Sequence, residues 1–158
     1  MLQSQTLNAR IVESLYCEAL ILADEVRSAF AMADRDGQAV SGSSLVLVAL
    51  SCEALRTTTR MMHALAWLLN HRAFFKGELS EFQLRRNGGL SPDSFSSDSE
   101  KLALIDEPRR ELIVMTELFY ARLQRLERVW GMREPEAPSP VAMLRERLGT
   151  TVARQAAG

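Results

Sequence analysis

Residues 51–80 read SCEALRTTTRMMHALAWLLNHRAFFKGELS. Apolar residues recur at helical spacing through this stretch and fall on more than one face. Arg56-Thr57-Thr58-Thr59-Arg60 interrupts it as a polar girdle, and Gly77 closes it. Glycine is the common residue just past a helix C-terminus. Upstream, Leu45 to Leu50 leave no polar face for more than a turn, and serine at the start suits an N-cap. The pattern predicts one long central helix over 44–76. A helix that is apolar all round is buried all round. Two neighbours within one small protein cover only part of it, so the pattern predicts a homodimer in which a second copy supplies the rest. Leu47, Leu50, Met61, Leu65, Trp67, Leu68 and Leu69 are its expected core or dimer residues.

The flanking segments read as helices too. Ile11, Leu15, Ala19, Leu22, Val26 and Phe30 form one stripe and predict a first helix from about Thr6 to Ala33. Asp34-Arg35-Asp36-Gly37 is turn chemistry, followed by a polar loop to Ser43. Ser80 and Gln83 make a capping-box pair, the mark of a further helical turn. NGGLSPDSFSSDSE, residues 87–100, reads as a mobile loop, with a short helical piece over 98–105. Proline is best tolerated in a first turn, so a third long helix starts near Asp106-Glu107-Pro108. Leu112, Met115, Phe119, Leu123, Leu126 and Trp130 give its stripe, and Gly131 its end. MREPEAPSP then holds three of the five prolines and reads as a linker. Val141 to Leu148 offers two amphipathic turns, too short to persist alone. The expected architecture is all-α: a three-helix bundle over 1–131 and a flexible tail over 132–158.

At 158 residues one domain is expected, large enough for a core without disulfides or metal. A net charge of -1 argues against a general binder of nucleic acid or acidic membrane. Cys17 and Cys52 lie in apolar helical patterns and read as buried free thiols of a reducing cytoplasm. The start of the chain has no signal-peptide pattern, and Met61–Leu69 is too short to span a bilayer, so a cytoplasmic location is expected.

Catalytic patterns are missing. Asn87-Gly88-Gly89 follows no strand and is a turn, not a phosphate loop. His63 and His71 are about 12 Å apart along one helix, too far to share an ion. No H-E-x-x-H, C-x-x-C or Glu-x-x-His occurs, so neither metal nor cofactor is expected, and no enzyme. Arg122, Arg125 and Arg128 read as a solvated face. Glu53, Arg56 and Arg60 line one side of the central helix. They form either an intrahelical ion-pair set in a partly buried layer or, with His63 and Arg72, a polar contact surface for a protein partner.

E-A-L-R-T-T-T-R-M-M, A-W-L-L-N-H-R-A and K-G-E-L-S within residues 53–80, and E-P-R-R-E-L-I with R-L-Q-R-L-E-R further on, resemble the RcdA family. These are the alphaproteobacterial regulators of CtrA degradation, grouped with a domain of unknown function. The resemblance covers most of the second and third long helices. It implies a dimeric three-helix bundle that acts, without chemistry of its own, as an adaptor for the ClpXP protease. It implies docking on ClpX through a response-regulator-like partner, delivery of cargo such as a CtrA-like regulator, and a tail that handles cargo. The alternative from the residues alone is an interaction or transcription-regulatory scaffold on the same bundle, without a protease link.

Overall fold

A computed structural model describes residues 7–39, 44–92 and 97–131, and the side chains of all of these except 32–39. Five helices follow in order: α1 Ala9–Ala39, α2 Ser44–Phe75, α3 Glu81–Arg86, α4 Ser99–Leu102 and α5 Glu107–Gly131. The expected all-α bundle is what forms: α1, α2 and α5 pack together, and the short α3 and α4 lean on α2. The expected linker and tail over 132–158 and the loop over 40–43 lie outside the described residues.

Asn8 opens α1, its side-chain oxygen accepting the Ile11 N–H at 3.0 Å. The buried stripe is Val12, Leu15, Ala19, Leu22 and Val26, with Ile11 and Phe30 only partly covered. The turn expected at Asp34–Gly37 does not form, because α1 continues through it to Ala39. One glycine inside a helix costs about 1 kcal/mol relative to alanine, which a helix of this length can bear.

The end of α2 follows the sequence closely. Gly77 has φ +78, the left-handed conformation that favours glycine. Its N–H donates to Phe74 and that of Glu78 to Ala73, at 3.0 and 2.9 Å, the two bonds of a Schellman cap. Ser80 and Gln83 form the capping box of α3 in both directions. The helical piece expected over 98–105 is α4, capped by Asp98.

Buried residues of α1, α2 and α5 form one core around Ala64, Leu68, Phe119, Tyr120 and Leu123. Arg109 fixes α5 to α1 by donating to the Ala29 carbonyl at 2.9 Å. The same guanidinium holds the Asp106 carboxyl below its ordinary 3.8: burial pushes that carboxyl up, but the Arg109 hydrogen bonds and charge prevail. Met115, expected in the core stripe of α5, is about half exposed instead, and Ile113, Thr116 and Tyr120 are buried. The stripe turns toward α2 because α5 also receives the loop that precedes it.

Candidate functional site

The central helix is not buried all round: beside its buried Met61, Ala64, Trp67 and Leu68 it turns polar residues inward and several large apolar ones outward. Glu53, Thr57 and Arg60 lie at 0%, 0% and 1% exposure, while Leu45, Leu55 and Met62 stand at 71%, 70% and 64%. The polar girdle therefore faces inward, and it survives there because α5 and the loop before α4 supply partners. Arg60 donates to Thr116 Oγ1 at 2.9 Å and to Glu117 Oε1 at 3.2 Å. Glu53 Oε1 accepts from Arg56 at 2.8 Å and from the Asp98 N–H at 3.4 Å. The Ser97 N–H donates to Glu117 at 3.0 Å. Buried charges persist only when paired in this way. Glu53 Oε2 and Thr57 Oγ1 have no hydrogen-bond partner among the described residues.

The expected partner surface of Glu53, Arg56, Arg60, His63 and Arg72 is thereby broken up. Glu53 and Arg60 are interior, because their hydrogen bonds are made across the bundle. Arg56 is half-buried against Glu53, and His63 is exposed. Arg72 makes two bonds to Glu13, at 2.8 and 3.0 Å, and lies 4.1 Å above the Tyr16 ring, tying α2 to α1. The Glu13 hydrogen bond raises its already high pKa. The expected core or dimer residues divide as well. Met61, Trp67 and Leu68 are buried, Leu50 and Leu65 half-buried, and Leu47 and Leu69 exposed.

The exposed residues have an order of their own. Leu45, Val48, Cys52, Leu55, Thr59, Met62, Ala66 and Leu69 alternate in steps of three and four along α2, opposite the buried girdle. This is the a/d spacing of a coiled-coil seam. Six of the eight are exposed and Cys52 and Thr59 are half-buried, so the described residues leave most of the seam uncovered. The spacing was present in the letters, but it could be isolated only once the inward face was known.

A second polar arrangement runs along α5. Glu117, Tyr120, Gln124 and Glu127 also recur at steps of three and four, and all four hold the main chain of the preceding loop. Tyr120 and Gln124 donate to the Ser91 carbonyl at 3.1 and 3.3 Å. Glu127 accepts from the Leu90 N–H at 2.8 Å and from Trp67 Nε1 at 3.0 Å. The loop expected to be mobile is thus fastened at its described ends, while residues 93–96 lie outside the described residues. Next to Glu127, Trp67, His71 and Trp130 line a cavity of about 220 Å³. The His71 ring is 3.9 Å from that of Trp67, and its Nδ1 donates to the Trp67 carbonyl at 2.9 Å. Burial lowers its pKa from the ordinary 6.5, against the raising effects of that hydrogen bond and of Glu127. The bonds from α5 to the loop and to Trp67 could not be read from spacing, since each joins residues far apart in the chain, whereas Trp67 and His71 are one helical turn apart.

Among the described residues, no group of three or more His, Cys, Asp or Glu could hold a metal ion. Nor, among them, is any helix long and apolar enough to cross a membrane. A family model described as "Protein of unknown function (DUF1465)" matches residues 3–152. No curated protein and no solved structure matches the chain.

Proposed function

The chain belongs to the DUF1465 family, and we propose on that premise that it is a non-enzymatic adaptor for regulated proteolysis. In this reading it is a cytoplasmic homodimer of the RcdA type. It docks on ClpX through a response-regulator-like partner and presents a protein cargo such as a CtrA-like regulator. The protease role rests on the resemblance of residues 53–80 and of α5 to that family. The structural observation that supports an interaction role is the apolar seam from Leu45 to Leu69. A monomer seldom exposes so continuous an apolar strip. A second copy related by a two-fold axis can cover it with its own seam, giving a helix pair through the centre of a dimer. An adaptor of this kind works by tethering: holding cargo near a protease raises its local concentration to about millimolar with short linkers.

The test is a pull-down from native lysate with the full chain as bait, beside sedimentation of the purified protein. Recovery of ClpX or of a receiver-domain protein by a dimeric bait supports the adaptor. A dimer that repeatedly recovers neither overturns the protease link and leaves an interaction scaffold.

A further inference from the structure

We infer that the groove between α1 and α5 is the docking site of this chain's own residues 141–148. The groove has a volume of about 690 Å³. Leu22 and Phe119 form its buried base, and Ile21, Met115 and Leu118 stand on its walls at 62%, 51% and 65% exposure. Exposed apolar walls around a concave surface mark a place where another apolar segment sits. The rims are charged: Glu18 and Glu25 on α1, Arg122 and Arg125 on α5. Glu18 and Arg122 pair with each other across the groove. Glu25 and Arg125 make no ion pair among the described residues, which leaves one acid and one base for an incoming segment of mixed charge.

Residues 141–148 have the composition to match. Val141, Leu144 and Leu148 fall on one helical face, and Arg145, Glu146 and Arg147 bring both signs. Two turns do not hold a helix in water alone and need an apolar surface to pack on. The distances allow it. The nine residues Met132–Pro140 reach about 30 Å when extended. Met115, at the far end of the groove, lies about 24 Å back from Gly131 along α5. The family match runs to residue 152, so it takes in this segment together with the bundle. A second copy fits the groove less well, because a two-fold axis would set concavity against concavity. The docking needs only the chain itself, so it stands or falls apart from the adaptor reading.

Cys17, expected from the sequence to be buried, instead lines this groove and is exposed, which makes it a reporter. The full chain and its Leu144→Asp/Leu148→Asp variant are treated with a thiol reagent, and modification of Cys17 is followed by peptide mass spectrometry. Docking predicts that Cys17 reacts at least about tenfold more slowly in the unaltered chain, since a docked state leaves the open one at about 10% or less. The protection should not depend on protein concentration. Independently, Leu144→Cys should form a disulfide with Cys17 inside one chain under mild oxidation. Equal Cys17 rates in the two chains, with no such disulfide, overturn the inference. Protection that grows with concentration, or a disulfide only between chains, assigns the groove to another molecule and overturns it too.

Discussion

Arg60 holds its charge at 1% exposure, bonded to Thr116 and Glu117 on the neighbouring helix. Replacing it with alanine removes one partner of a buried charge pair and leaves a hole. The expected loss is about 3–5 kcal/mol, read from urea unfolding of Arg60→Ala against the unaltered chain. His71 gives a second outcome at this scale. Its Nδ1 is committed to the Trp67 carbonyl, and its buried Nε2 has no partner among the described residues, so a second ring proton would be left unsatisfied. The folded protein therefore keeps His71 neutral below the pH at which the unfolded chain takes up a proton. Its contribution is full above the ordinary 6.5 and is lost progressively as pH falls below it. The carboxylate of Asp106, held down by Arg109, adds loss in the same direction at lower pH. Melting temperatures across this range should fall less steeply for His71→Gln than for the unaltered chain. An unchanged slope would remove His71 as a source of the dependence.

At the scale of an element, α2 has two faces with opposite tasks, and neighbouring leucines tell them apart. Leu68 is fully buried and Leu69 is 47% exposed on the seam. A lone carboxylate in an apolar core is not tolerated, so Leu68→Asp should abolish the cooperative melt. Leu69→Asp and Leu55→Asp should melt near normally yet sediment as monomers, if the seam joins two copies. Gly77→Ala tests the helix end. No atom crowds that position, but φ +78 disfavours a side chain, and a loss of about 1 kcal/mol is expected from chemical unfolding. The helix, its glycine stop and the Ser80–Gln83 box were legible in the letters because they depend on residues a few places apart. The orientation of α2 was not. Its apolar residues outnumber what one face can hold, and only Thr116, Glu117, Ser97 and Asp98, distant in sequence, decide that the girdle goes inside. The overrun of α1 past Asp34 was hidden for a related reason: turn-type residues state a preference that a long helix can override.

Across the whole molecule, the three long helices carry the core found among the described residues. Truncation after Gly131 should therefore keep the helical circular dichroism signal and a cooperative melt. A collapsed signal would make the later residues part of the core. The three long helices were readable from their apolar stripes, whereas the fastening of the loop to α5 was not, because its donors and acceptors are main-chain atoms without a sequence signature. That fastening has a consequence for variation. Glu117, Tyr120, Gln124 and Glu127 grip the segment by the backbone of Leu90, Ser91 and Ser97. These bonds set the path of the segment without reading its side chains, while Leu90 is held separately by its packing against the core. Gly88, at φ +87, and Gly89, where a Cβ would stand 2.5 Å from Glu127 Oε1, are bound to their letters. Such a segment is a strap on a fixed frame, and a change of side chain at Ser91 should leave the bundle that carries it undisturbed.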